Sequence, residues 1–310
     1  MRPIPWKRPV PRPDDGIEVF EALRPRLVRL AYRMLSSKAE AEDVVQNAWL
    51  RWHGSDRSRV ESPEAFLSRI VTRLCLDEMK SARARRETYV GSWLPEPIID
   101  IAQNGVDEDD LTLTLMMAVD RLSPLERAAF LLHDVFGLPL DEVAATLDRE
   151  PASARQLAVR ARRHVQMARP RYPVDREEGD RIARAFFAAS TSGDVAALQT
   201  MLAATVVLRA DGGGKVPAFL NPIFGPTRIL RLFKGLRRKF GLEWATMVEP
   251  TWIDGLPGYI SRERGEILQT TALAIENGQI TGIYITRNPD KLRDIAQRLL
   301  AVQNVQTRPQ

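Results

Sequence analysis

Leu140–Gln166, LDEVAATLDREPASARQLAVRARRHVQ, decides how the middle of this 310-residue chain folds. It reads as a helix, a tight turn and a second helix that starts at Pro151 and is loaded with arginine. Between Arg149 and Arg171 stand seven arginines and one acid, Glu150. A helix-turn-helix lays its second helix in the DNA major groove. Arginine both grips phosphates and pairs bidentately with guanine. The segment therefore points at duplex DNA, at a promoter or an operator.

Outward from it, composition sets bounds. A chain of this length suggests two or three domains, and 44% hydrophobic residues suffice for globular cores. The +5 formal charge permits nucleic-acid binding, and its placement is more telling. Basic clusters stand at Arg83–Arg86, Arg149–Arg171 and Arg228–Lys239, acids at Asp100–Asp110. The single cysteine, Cys75, excludes an intrachain disulfide and reads as a buried thiol. No apolar run is long enough for a membrane span. The proline-rich N-terminus lacks the apolar core of a signal peptide. These features predict a cytoplasmic protein with a disordered tail over 1–16.

Helical signals begin near Ile17, and Leu27, Leu30, Ala31, Met34 and Leu35 make one stripe. AEAEDVVQNAWLRWH follows, with Val44, Val45, Ala48, Trp49 and Trp52 at helical spacing and acids in its first turn. Ser62-Pro63 opens a third helix, whose predicted buried face is Phe66, Ile70, Leu74 and Met79, and which ends basic. Residues 87–110, with two prolines in WLPEP (Trp93–Pro97), read as a linker. Helices resume at Leu111, and Ser123-Pro124-Leu125-Glu126 fits a capping box. A second linker, 169–176, contains Pro170 and Pro173. Residues 177–203 are helical. Then come a short strand at Thr205–Ala210, an amphipathic helix at Ile229–Phe240, and strands at 244–253, 257–263, 266–276 and 279–287, the last two joined at Asn277-Gly278. Helices followed by antiparallel strands predict a separate α+β domain, here 177–300, with a tail at 301–310.

Residues 17–86, through AEAEDVVQNAWLRW and SPEAFLSRIVTRLCLDEMK, resemble region 2 of RNA polymerase sigma factors of the extracytoplasmic-function (ECF) type. Residues 111–168, through RLSPLERAAFLLHDVFGLPLDEVAATLDREPASARQLAVRARRHV, resemble their region 4. The C-terminal part resembles a SnoaL-like domain, an α+β cone of the nuclear-transport-factor (NTF2) type, which one subgroup of these sigma factors carries. Its hallmarks are WLPEP, DGGGK (Asp211–Lys215) and NPDKL (Asn288–Leu292). The implied fold is two all-α sigma domains followed by the cone.

The resemblance implies a factor that binds core RNA polymerase through its beta and beta-prime subunits, recognises the −10 and −35 promoter elements, and is monomeric when free. Polymerase docking falls to Asp43, Gln46, Asn47 and Arg51, opposite the valine/tryptophan stripe. The loop His53–Glu61 is where the family captures an unstacked base, which must repay a few kcal/mol of unstacking. His53, Asp56, Arg57 and Arg59 are the candidates there, although His53 also fits a plain helix end. Lys80, Arg83, Arg85 and Arg86 should track phosphates. Near the start of the recognition helix, Ser153, Arg155 and Gln156 are expected at base edges, and Arg160, Arg162 and Arg163 at phosphate or solvent. Many such factors carry a longer polar or basic side chain where Leu157 and Ala158 stand.

DGGGK is not a phosphate loop: Arg209 and Val216 occupy the positions where a Walker A motif needs glycine and Ser/Thr. Three glycines instead permit an unusual backbone path or a close approach. Trp93, Leu94, Pro95, Glu96 and Pro97 with Asp211, Gly212, Gly213, Gly214 and Lys215, and with Asn288, Pro289, Asp290, Lys291 and Leu292, are expected to fix the placement of the sigma domains and so modulate activity in cis. Two other readings of the cone stand beside this: a small-molecule sensor, or an enzyme using Asp211, Asp254 or Glu266 for proton transfer, since residues 177–310 hold no histidine. A conventional dimeric helix-turn-helix regulator is a further alternative for the whole chain. The exposed stripe Arg228, Arg231, Lys234 and Arg238 is either a solvated face or a contact for polymerase or DNA. No metal-ligand spacing occurs, and no cofactor or catalytic residue is expected.

Overall fold

A computed structural model describes residues 14–87, 89–99, 112–166, 174–241 and 244–306. The proline-rich tail up to residue 13, the acidic run at Asp100–Asp110, and Pro170 and Pro173 lie outside the described residues. The chain divides into two compact units, Met1–Ser81 with Leu122–Arg162, and Ala82–Arg121 with Arg163–Gln310. Most of the two sigma-like parts, up to Ser81 and from Leu122 to Arg162, share one unit, and the linker between them belongs with the extension.

In the first unit α1 (Asp14–Leu35), α2 (Lys38–His53) and α3 (Pro63–Glu87) form a bundle. Helix α1 starts three residues before the predicted Ile17. Its stripe of Leu27, Leu30, Ala31, Met34 and Leu35 is buried, as are Val44, Val45, Ala48 and Trp52 of α2. Trp52 satisfies its indole by donating to the Gly16 carbonyl at 2.8 Å. In α3 the buried stripe is Leu67, Val71, Cys75 and Met79. The predicted Phe66, Ile70 and Leu74 are only half-buried beside it. Two apolar stripes lie side by side on this helix, and periodicity alone does not choose between them.

After α4 (Leu113–Val119), which belongs to the second unit, come α5 (Pro124–Phe130), a π-helical turn (Leu131–Val135), α6 (Leu140–Leu147) and α7 (Pro151–Gln166). Ser123 and Glu126 close the expected capping box. Helix α6 ends at Asp148 in the left-handed conformation (φ 54°), which opens the turn into α7. Arg127, only 1% exposed, joins this part to the bundle. Its Nη1 donates to the Met34 carbonyl at 2.7 Å, in the last turn of α1, where helix carbonyls lack intrahelical donors and favour a cation. Arg26 donates to the Phe136 carbonyl at 3.0 Å and pairs with Glu64.

The second unit holds α8 (Arg176–Ser192), α9 (Val195–Met201), β1 (Leu202–Asp211), β2 (Ile223–Phe224), α10 (Pro226–Phe240), β3 (Ala245–Ile253), β4 (Leu256–Glu263), β5 (Ile267–Glu276), β6 (Gln279–Thr286) and α11 (Arg293–Gln306). The sheet order is β2-β1-β6-β5-β4-β3. The predicted α+β domain is present, with its four long hairpin strands within two residues of expectation. Asn277 and Gly278, at φ 51° and 75°, make the two-residue turn between β5 and β6. The strands are not all antiparallel, however: β1 pairs with β6 in parallel.

Both faces of the sheet are covered. Leu273, Ile275, Ile283 and Tyr259 meet Phe186, Leu198, Ile229 and Phe233 of α8–α10. On the other face Ala272, Ala274 and Tyr284 meet Leu94 of the linker and Leu113 of α4, while Ile260 meets Leu292, Ile295 and Leu299. Residues 301–306, expected as part of a C-terminal tail, continue helix α11, whose earlier turns are buried through Ile295 and Leu299. Among the described residues no helix is long and apolar enough to cross a membrane.

Candidate nucleic-acid interface and the Asp211 node

Three places carry the residues predicted to meet polymerase and DNA: α2, the α2–α3 loop with α3, and α7. On α2, burial of Ala41, Val44, Val45, Ala48 and Trp52 leaves Asp43, Gln46, Asn47 and Arg51 exposed on the opposite side. Leu50 lies among them, 63% exposed, three residues from Asn47 and four from Gln46. Sequence reading passed over it as one more apolar residue in an apolar-rich helix; its signal was its phase, one step off the buried stripe.

The α2–α3 loop is shaped by Asp56. Its carboxylate accepts from the Ser58 backbone at 3.3 Å and hydroxyl at 2.6 Å, capping a 3-10 turn at Arg57–Arg59, and pairs with Arg59 at 3.6 Å. His53 is exposed at the end of α2, its ring tilted against Trp49 at 5.5 Å. Lys80 pairs with Asp77 at 2.8 Å on an exposed face of α3. Arg83, Arg85 and Arg86 continue α3, but their side chains lie outside the described residues.

Helix α7 buries Ala154, Leu157, Ala158, Ala161 and Val165. Leu157 and Ala158 are therefore core residues. Arg155, Gln156, Arg160 and Arg163 are exposed and Ser153 is half-buried. Arg162 differs from its neighbours. It points back into the helix-turn-helix and pairs with Asp134 at 2.5 Å, as Arg160 does more loosely with Glu126 at 3.3 Å.

In the second unit the three motifs WLPEP, DGGGK and NPDKL converge on one carboxylate. Asp211, at the end of β1, is fully buried. Its Oδ1 accepts from Tyr89 Oη at 2.5 Å and from the Gly213 N–H at 3.0 Å. Its Oδ2 accepts from the Leu94 N–H at 2.9 Å and from Lys291 Nζ at 2.8 Å. Its carbonyl accepts from the Arg287 and Asn288 N–H groups. Lys291 also donates to the Leu94 carbonyl and stands 4.2 Å from the Trp93 ring centroid. Asn288 donates to Tyr89 Oη at 2.9 Å. Burial, then the hydrogen bond to Asp211, holds the Tyr89 phenol above the ordinary tyrosine range, so it stays a donor. A buried carboxylate this fully satisfied meets the condition under which burying charge is tolerable.

The glycines make the convergence possible. A Cβ on Gly212 would stand 2.1 Å from the Val216 carbonyl oxygen, and one on Gly213, at φ 62°, 2.3 Å from Asn288 Nδ2. At the rim Lys215 pairs with Asp290 at 2.5 Å, and this hydrogen bond lowers the Asp290 pKa. Asp254 is a second anchor that sequence reading assigned no such role. Its Oδ2 accepts from the Ile98 N–H at 3.1 Å and its carbonyl from the Leu113 N–H at 2.8 Å, so it holds both ends of residues 99–112.

Inside the cone, between α8, α10 and the sheet, lies a cavity of about 40 Å³ lined by Phe187, Leu236 and Trp244 and by the polar Glu263, Gln269 and Arg287. Arg287 pairs with Glu263 at 2.5 Å. Burial pushes the Tyr259 phenol, also on this wall, up to about 12. Glu266 is exposed at the β4–β5 turn, away from this cavity. Among the described residues no three His, Cys, Asp or Glu side chains gather as a metal site would require.

Comparison with known proteins agrees with this geometry. Residues 19–85 match the family model of Sigma-70 region 2, and residues 112–165 that of Sigma-70, region 4. The ECF RNA polymerase sigma factor SigJ of Mycobacterium tuberculosis H37Rv is 36% identical, over 89% of this chain and 92% of the relative. A probable ECF RNA polymerase sigma factor, SigI, of M. tuberculosis CDC 1551 is 31% identical, over 92% and 98%. The crystal structure of M. tuberculosis SigJ superposes with a TM-score of 0.71 at 31% identity, covering 89% of this chain and 98% of that one. With relatives matched over nearly their whole length, including the extension, the chain belongs to the ECF RNA polymerase sigma factors.

Proposed function

We propose that this sigma factor docks on the beta and beta-prime subunits of core RNA polymerase with the exposed α2 face, opens the −10 element with the α2–α3 loop and the basic end of α3, and reads the −35 element with α7. The observation that carries this is the segregation on α2 and α7: each buries a continuous apolar stripe and presents Asp43, Gln46, Asn47 and Arg51, or Arg155, Gln156, Arg160 and Arg163, on the other side. Such a protein works where polymerase and promoter are, in the cytoplasm, and as a monomer when free. Core polymerase with a promoter pair, one native and one with a scrambled upstream element, tests it. Selective initiation on the native promoter is expected. Sequence-specific binding as a dimer without polymerase, and no initiation, would identify a conventional regulator instead.

The Asp211 node is the device by which the extension modulates this activity in cis. The names of the two elements put about 25 base pairs between them, about 85 Å at 3.4 Å per pair. Residues 88–112 extended reach about that far. With Tyr89, Leu94, Ile98 and Leu113 held by Asp211 and Asp254, that reach is not available. Within the first unit, moreover, Arg127 and Arg26 hold the region 4 part against α1. Promoter engagement accordingly requires that contact to open and the linker to leave Asp211.

The cone is a regulatory module and not an enzyme in this reading. Asp211 and Asp254, two of its three candidate acids, are occupied by the linker. Ligand sensing is a second reading, favoured by one observation: Arg287 Nε is buried in the cavity region without a hydrogen bond. The cavity's size weighs against it: at about 40 Å³ it is far smaller than the roughly 150 Å³ cavity known to bind benzene.

A further inference from the structure

Val159 is 39% exposed on α7, and neither packing nor propensity accounts for it. With Ala154, Leu157, Ala158, Ala161 and Val165 marking the buried side, about 100° per residue puts Val159 some 140° round from Ala154. It is thus nearer the centre of the open face than Arg155, at about 100°. A β-branched residue is a poor choice on an exposed helix face, where alanine would serve better. Its neighbours at helical spacing are Arg155, Gln156 and Arg163, all exposed, and Arg162, which turns to Asp134. One apolar side chain is therefore set within a polar and basic stripe. It lies about 6 Å along the helix from Arg155, which is about two base-pair steps.

Resting on the reading of α7 as the helix that meets the −35 element, we infer that Val159 is a specificity-determining residue that packs its methyl groups against the 5-methyl group of a thymine in the major groove. Thymine is the base that offers an apolar group there. The contact selects for thymine and discriminates by burying about one methyl.

The test uses the full chain with core polymerase, on a promoter selected by that holoenzyme from a library randomised in the upstream element. Thymines in the selected element are replaced one at a time by deoxyuridine, which removes only the 5-methyl. One replacement should weaken wild-type binding about fourfold, the worth of one buried methyl. The same replacement should have no effect on Val159→Ala, which favours the helix and keeps the fold. A selected element without thymine, or equal deoxyuridine effects in both proteins, would overturn the inference. Arg155→Ala in parallel separates it from its parent. If Arg155→Ala relaxes base preference while Val159→Ala leaves the deoxyuridine effect intact, only the thymine contact fails. If Arg155→Ala weakens all sequences equally and no replacement matters, the reading of α7 fails and this inference with it.

Discussion

Asp211 and Gly213 carry the sharpest residue-scale expectations. Asp211→Asn leaves the Lys291 ammonium, 12% exposed at its side chain, beside a neutral amide. Removing one partner of a buried pair costs about 3 kcal/mol, which should appear as a lower denaturant midpoint. Gly213→Ala should also destabilise, by about 1–3 kcal/mol, because a Cβ meets Asn288 and the backbone sits at φ 62°. Gly235→Ala, with open space around the position within α10, should instead stabilise by about 1 kcal/mol. If the two alanine variants melt alike, the close approach at Gly213 is not the reason for the glycine. Acid should weaken the Lys215–Asp290 rim contact. Because the folded carboxyl lies below its ordinary value, the contact contributes above the ordinary aspartate range and is lost as pH falls through the depressed value. Lys215→Met should flatten that part of the stability profile. From sequence, the triple glycine announced an unusual backbone path, and the structure supplies the partner: Asn288 of NPDKL, a motif far along the chain that no local pattern could pair with it.

At the scale of elements, α7 divides its arginines by direction. Arg155→Ala should cost about 1–3 kcal/mol of discrimination between native and scrambled upstream elements, measured by competition binding of the holoenzyme. Arg162→Ala should leave discrimination intact and lower thermal stability, since its guanidinium serves Asp134. Equal effects of both on discrimination would mean that the division by direction is wrong. The helix-turn-helix, the capping box at Ser123 and the four long strands were legible because each is written in local periodicity, caps and turn residues. The buried phase of α3 was not, because two apolar stripes compete. Nor were α11 and the parallel β1–β6 pairing, because both are fixed by contacts distant in sequence. Leu50 and Val159 were missed for a related reason: an apolar residue within an amphipathic helix passes for core until its phase is measured.

Across the whole molecule, the linker is the segment whose state matters most. Read from sequence it was a spacer between two DNA-facing modules, and residues 89–99 instead belong to the cone's own unit through Tyr89, Leu94 and Ile98. The covalent order of the chain makes this consequential, since whatever holds those residues shortens the tether between regions 2 and 4. A reversible lock tests this directly. A Cβ on Gly214 would lie 3.3 Å from Val90 Cβ, close to the roughly 3.5–4.5 Å of a disulfide, and the native Cys75 is buried. The double variant Val90→Cys/Gly214→Cys, assayed with core polymerase in promoter-specific run-off transcription, should be weak when oxidised and recover on reduction, with oxidised wild type as the control. Equal output from the oxidised and reduced forms would contradict the account, because promoter engagement would then proceed with the linker still held on the cone.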